Sequence, residues 1–213
     1  MQNRPLFVLA ALGAVLLALV LGRPTAPGAT MLAEAFGGFV PLGRERLDAP
    51  PIPEFPSRNP ANSRLTINER GLDIIRDSEG LRLEAYHLAG QWLIGYGHAA
   101  TAEAGMEITE DQADRLLVRD VRAAEAAVRR TVKAPLNENE FSALVSLAYN
   151  LGSGAFSRTR VVARLNEGDY KGGARAFRYL ITARIGGERV VLDALVRRRE
   201  AERNLFLSKP LRA

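Results

Sequence analysis

Eight of the eleven prolines in this chain of 213 residues fall between positions 24 and 60. Proline fixes φ and removes a backbone donor, so this stretch, densest at Pro50-Pro51-Ile52-Pro53, cannot form a helix interior or a central strand. It reads as a semi-rigid spacer over residues 24–63. The spacer divides the chain into an N-terminal segment (residues 1–23), a linker and a single folded domain over residues 64–213. A compact fold has to be built from that last part, which is long enough for one core. A short interfacial helix fits residues 31–39.

The first part, residues 6–22, is LFVLAALGAVLLALVLG, seventeen residues with no charge, flanked by Arg4 and Arg23. As a helix it would rise roughly 26 Å, the short end of a membrane span. A cleaved signal peptide is the rival reading, but Pro27 interrupts the region where a small-x-small cleavage site would fall. An uncleaved anchor is expected, a single pass through the inner membrane. Arg4 on the short side places the domain in the periplasm, and Arg23 weighs against that orientation. The chain has no cysteine, which excludes disulfides and thiolate chemistry. It has only two histidines, His87 and His98, so neither a metal site nor a cofactor is expected. The net charge of +5 suits an anionic partner such as a cell-wall polymer. No nucleic-acid motif accompanies it. Nothing in the sequence speaks to oligomeric state.

Within the domain, Thr66-Ile67-Asn68-Glu69 has the form of a capping box, and Leu72 and Ile75 follow on one face of a helix that runs to Ser78-Glu79. Residues 83–86 and 92–96 read as a short hairpin with Ala89-Gly90 in its turn. Thr109-Glu110-Asp111-Gln112 starts a second helix, with Ala113, Leu116, Leu117, Val121, Ala124 and Val128 at helical spacing. Asn137 to Glu140 starts a third, stopped by Gly152. Shorter helices are predicted over residues 160–166 and 169–181. A Gly186-Gly187 turn then leads to a terminal helix at about 191–206. The predicted class is α+β, one small sheet beside a helical body.

Five pieces of sequence, in order, point to chemistry: Ser78-Glu79-Gly80-Leu81-Arg82-Leu83; Ala85-Tyr86; Ile94-Gly95-Tyr96-Gly97-His98; Ala148-Tyr149-Asn150-Leu151-Gly152-Ser153-Gly154-Ala155-Phe156; and Leu195-Val196-Arg197-Arg198-Arg199-Glu200-Ala201-Glu202. Each is weak alone. Together they resemble the phage-type lysozymes of glycoside hydrolase family 24. The resemblance implies a lysozyme-like fold, a small β-hairpin lobe and a larger helical lobe flanking a cleft. It also implies hydrolysis of the β-1,4 bond between N-acetylmuramic acid and N-acetylglucosamine in peptidoglycan. Glu79 matches the family's general acid, which protonates the glycosidic oxygen. His98 and Asp120 match a structural ion pair between the lobes. Arg198 lies where an arginine packs near the acid. Tyr86, Trp92 and Tyr96 are candidate glycan contacts, although burial in the core explains aromatics equally well.

The chain departs from the family pattern at two positions. The family has Asp or Cys two residues after the Tyr matched by Tyr86, and Thr before the Ile-Gly pair; here these are Leu88 and Leu93, and the turn is one residue shorter. Leucine neither orients nor deprotonates water. Glu84, Glu103 and Glu107 lie nearby in sequence, and His87 is a candidate substitute base. Two readings follow. One is a membrane-tethered muramidase of reduced activity. The other is a lysozyme-fold module that binds or scaffolds peptidoglycan without turnover.

Overall fold

The computed structural model describes residues 59–185 and 188–209. The apolar run at 6–22 and most of the proline-rich spacer lie outside the described residues. Among those described, no helix is long and apolar enough to cross a membrane. The chain divides into two compact units, one holding Glu79–Asp120 and the other holding residues 59–78 and the chain from Val121 onward.

In the larger unit, order begins slightly before the expected boundary. The Asn59 and Asn62 side chains donate to the carbonyls of Lys133 and Ala134, and Asn62 Oδ1 accepts the Leu136 N–H. Helix α1 (Glu69–Glu79) follows. Its cap is Asn68, whose Oδ1 takes the Gly71 N–H at 3.1 Å, two residues past the Thr66 that the sequence pattern suggests. Asn68 wins because its side chain is also held by Asn139, and its N–H by Ser142. α1 sits close against its neighbour: a Cβ on Gly71 would lie 2.9 Å from Ser142 Cβ.

Helix α2 (Glu110–Thr131) has the expected reciprocal cap, with the Thr109 N–H donating to Gln112 Oε1 and the Gln112 N–H to Thr109 Oγ1. Helix α3 (Glu138–Leu151) opens with a full Asn137–Glu140 capping box and ends at Gly152 (φ 80°). It is buried at Asn139 and continuously from Phe141 to Asn150, which makes it the axis of the unit. Helices α4 (Ser153–Phe156), α5 (Arg160–Asn166) and α6 (Tyr170–Ala176) follow, and α7 (Asp193–Leu207) packs along α3.

Two differences from the sequence reading stand out. The helix expected over 169–181 stops at Ala176 and tightens into a 3₁₀ turn, Phe177–Tyr179. The chain then forms a second antiparallel pair, of Thr182–Ile185 with Glu188–Val191. The fold thus has two small sheets where one was expected. The signal for the second was Ile, Thr and Val clustered around Gly186-Gly187.

The smaller unit is built on strands β1 (Arg82–Leu88) and β2 (Gln91–Gly95); the pair at Thr182–Val191 supplies β3 and β4. The β1–β2 turn is two residues long, with Ala89 at φ 49° and Gly90 at φ 83°. Two successive positive φ values define the turn whose twist matches a hairpin, and position one normally takes Asn, Asp or Gly. The register is Tyr86↔Leu93, His87↔Trp92, Leu88↔Gln91, with an irregularity between Arg82 and Tyr86. There β1 turns to another partner: the Ala85 N–H donates to Met106 O, the Ile108 N–H donates to Leu83 O, and Glu84 stands opposite Glu107. Ile94, Ile108, Ala113 and Leu116 form the core of this unit, with Ala85, Tyr96, Ala102 and Met106 packed on it.

Ala89 is the one non-glycine residue with positive φ among the described residues. Ala89→Asn or Ala89→Gly is expected to stabilise the domain by about 0.5–1 kcal/mol in denaturant unfolding.

Candidate active site

Glu79 is the last residue of α1, and Gly80 (φ 72°) turns the chain directly into β1. A left-handed residue just past a helix end is the usual way to stop a helix sharply. It leaves the Glu79 carboxyl half-buried at the start of the smaller unit. Its charge is felt at the Tyr86 hydroxyl. Burial pushes the Tyr86 hydroxyl above its ordinary range, the Arg82 guanidinium pulls it down, and the Glu79 carboxylate pushes it up. The Arg82 guanidinium carbon lies 4.7 Å from the Tyr86 ring centre. Burial is the largest of the three effects, and the Tyr86 hydroxyl stays neutral.

Strand alternation sorts the remaining residues. Tyr86 and Leu88 on β1, with Leu93 and Gln91 opposite them on β2, share one face. His87 and Trp92 share the other, their rings meeting edge to face at 5.2 Å. His87 thus lies on the wrong side of the strand to stand in for a carboxylate at position 88. Leu93 is fully buried, and Leu88 is half-buried. Glu84 and Glu107 are exposed and confront each other across a strand bridge. Trp92 is half-buried, and Tyr96 packs on the Ile94 cluster.

His98 is seated by backbone. Ile94 and His98 exchange both N–H···O bonds, at 2.9 and 2.8 Å, around a three-residue loop flanked by Gly95 and Gly97 at positive φ. Gly95 also admits the close approach of α2, since a Cβ there would lie 3.3 Å from Ala113 Cβ. The imidazole is buried, with Nδ1 2.8 Å from Asp120 Oδ2 and Nε2 2.9 Å from Thr101 Oγ1. The Thr101 backbone N–H points at Nε2 at 3.2 Å, and an amide hydrogen can only be donated. Nε2 therefore carries the lone pair and Nδ1 the proton. On this geometry Nδ1–H donates to Asp120 Oδ2, within ion-pair distance. Both residues lie within the smaller unit rather than between the two. Thr101 and Arg119, whose Nη2 is 3.5 Å from Nε2, were not identifiable from sequence.

Arg198 belongs to the larger unit. Its Nε donates to Glu202 Oε1 at 3.2 Å and its Nη2 to Ser146 O at 3.4 Å. Glu202 is fully buried and also takes Ser146 Oγ–H and the charge of Arg199, whose Nη2 reaches Asn150. This network ties α3 to α7. The sequence reading put Arg198 near the acid; its identified partners are Ser146 and Glu202, and Glu202, one helical turn on, was not singled out.

One unit with a buried helix axis carrying a charged network, and another with a small antiparallel hairpin that begins at a helix-terminal glutamate, are the parts of a lysozyme-like α+β fold. Comparison with known proteins agrees. The family model for phage lysozyme matches residues 76–202. An endolysin from Acyrthosiphon pisum secondary endosymbiont phage 1 is 40% identical over 143 residues, 67% of this chain and 98% of that protein. The endolysin of Salmonella phage P22 is 36% identical over 150 residues, covering 68% and 99%. The muramidase domain of SpmX from Asticaccaulis excentricus superposes with a TM-score of 0.66 at 40% identity, covering 68% of this chain and all of that one. A SAR-endolysin from Pseudomonas phage phiKMV is 34% identical over 125 residues, 58% of this chain and 78% of its own length. The chain belongs to the phage lysozyme family, and it is a lysozyme-type muramidase, a hydrolase.

Asp120→Ala is expected to cost about 1–3 kcal/mol and His98→Ala a comparable amount, with the double variant losing less than the sum. Nitrogen NMR of the His98 ring should show the proton on Nδ1. Strict additivity or an Nε2–H tautomer contradicts the geometry.

Proposed function

We propose that the protein cleaves the β-1,4 bond between N-acetylmuramic acid and N-acetylglucosamine in peptidoglycan, with Glu79 as general acid. The observation that carries this reading is Glu79 itself: a half-buried carboxyl at the end of α1, turned into β1 by Gly80, whose charge is felt at the Tyr86 hydroxyl. Glu79 gives its proton to the glycosidic oxygen as the C1–O bond breaks. With leucine at 88, no carboxylate is placed there to form a glycosyl-enzyme, so water attacks C1 directly and sheds its second proton to solvent. Glu79 is then reprotonated from solvent. Tyr86 and Trp92 are the hairpin aromatics proposed to contact glycan. The second reading, a lysozyme fold that binds peptidoglycan without turnover, is favoured by Leu93, which is fully buried and so cannot be simply a polar position left in reserve.

The apolar run at residues 6–22, together with relatives named as SAR-endolysins, supports a membrane-tethered form with the muramidase domain in the periplasm. Fractionation should find the full-length chain with the inner membrane. A soluble form shortened by about 25–35 residues would instead mean a cleaved signal.

Muropeptide release from purified sacculi tests the chemistry. Glu79→Gln should abolish turnover and leave sacculus binding nearly intact. Leu88→Asp should raise the rate by supplying the missing base, a gain of up to about 10²–10⁴-fold. Leu93→Thr should add little and cost about 1–3 kcal/mol, because it buries a hydroxyl at a closed position. Unchanged hydrolysis in Glu79→Gln would show that the acid is misassigned. Sacculus binding with no release by the wild type would favour the binding module.

A further inference from the structure

We infer that Gln91 is the water-positioning residue of this site, holding the attacking water where the family's carboxylate would otherwise hold it. The inference rests on the hydrolase reading above. Its observation is the hairpin register. Leu88 and Gln91 are direct partners across β1 and β2, and directly opposed residues in an antiparallel pair have Cα atoms about 4.5–5.5 Å apart with side chains on one face. That face is also the face of Tyr86, the residue in electrostatic contact with Glu79. A side chain from position 91 therefore rises beside the place a carboxylate from position 88 would fill.

The other polar groups of the hairpin are elsewhere. His87 is on the opposite face against Trp92, and Glu84 is exposed in the irregular part of β1, four residues from position 88. Leu93, on the right face, is apolar and closed to solvent. The Tyr86 hydroxyl is on this face too, but Gln91 is the polar residue that stands directly opposite position 88, with partial exposure. Its amide has no hydrogen-bond partner among the described residues, and it is half-buried.

The chemistry of an amide suits one half of the missing task. The Gln91 carbonyl oxygen accepts a hydrogen bond from water and aims an oxygen lone pair at C1. It cannot take the proton, which leaves to solvent as the C–O bond forms. Positioning without deprotonation gives a slow enzyme, not an inert one. The short turn is part of the arrangement: with two residues between β1 and β2, position 91 falls opposite position 88, and one inserted residue would break that pairing.

The experiment measures muropeptide release and sacculus binding by the full-length protein and its variants. Gln91→Leu should lower kcat roughly 10- to 100-fold with KM and binding unchanged, because only the water loses its partner. Gln91→Glu should raise kcat above the wild type, since it adds a proton acceptor at the same point. A merely structural role for Gln91 predicts the opposite pattern, with Leu tolerated and Glu neutral or harmful. Unchanged kcat in Gln91→Leu, or no gain in Gln91→Glu, overturns the assignment, as does a wild type with no turnover. Glu79→Gln separates the two levels. If it abolishes release while Gln91→Leu is silent, only the role of Gln91 fails. If it leaves release intact, the assignment of Glu79 as the acid fails first; if the wild type releases nothing, the hydrolase reading itself fails.

Discussion

Ala89 and Gly90 close β1 onto β2 with no residue to spare, both at positive φ. The register that follows, Tyr86 opposite Leu93 and Leu88 opposite Gln91, decides which side chains share the face of Tyr86. Side chains alternate with a period of two, so a slip of one residue would exchange Tyr86 and Leu88 for His87. The hairpin is otherwise weakly determined, since two strands alone are marginal. It is held by the Ile94 cluster on one face and by the bonds from Leu83 and Ala85 to the 106–108 segment. A strained alanine in a turn that favours asparagine or glycine is thus tolerated because the packing on either side fixes the geometry.

In the larger unit the equivalent constraint is Glu202. Two arginines, a serine and an asparagine converge on or beside one carboxylate that has no exposure at all. A buried ion pair is rarely a large net gain over apolar packing, but removing one partner strands the other charges at a cost of about 3–5 kcal/mol. Its effect is directional. Ser146 and Asn150 are one turn apart on α3, and Arg198 and Glu202 one turn apart on α7, so the network fixes the axial register of the two helices. Leucine-type packing alone would leave that register free to slide.

Local capping signals were legible in the sequence because they are complete within four residues. Thr109 with Gln112 and Asn137 with Glu140 each supply both halves of the bond. Thr66 failed as a cap because Asn68 is gripped by Ser142 and Asn139, more than seventy positions away. The β3–β4 pair was missed for a different reason: its Ile, Thr and Val residues follow directly from a helical stretch, and the helix reading absorbed them. Glu79 and the His98–Asp120 contact could be placed from motif order. The tautomer of His98 could not, since it depends on the Thr101 backbone N–H. Gln91 carries no motif, and its interest arises only from the residue it stands opposite.

The two leucines at 88 and 93 differ in what they did to the site. Leu93 is closed to solvent, and burying a leucine side chain is worth about 1.5–3 kcal/mol relative to leaving it exposed. A threonine there would have to find its hydroxyl a partner inside the protein or stay at the wet edge of the hairpin. The substitution therefore trades a polar group for a better-packed sheet. Leu88 is only half-buried, and the apolar gain there is smaller. On the proposed mechanism, what changes at 88 is chemical: a leucine offers no acceptor for a proton, and a general base is worth about 10²–10⁴-fold. The rate that remains depends on Glu79 for the leaving group and on how firmly the hairpin orients a water. A site of this kind should be limited by attack rather than by leaving-group departure, so a substrate with a better leaving group would gain little from this enzyme, while an external nucleophile stronger than water would gain more.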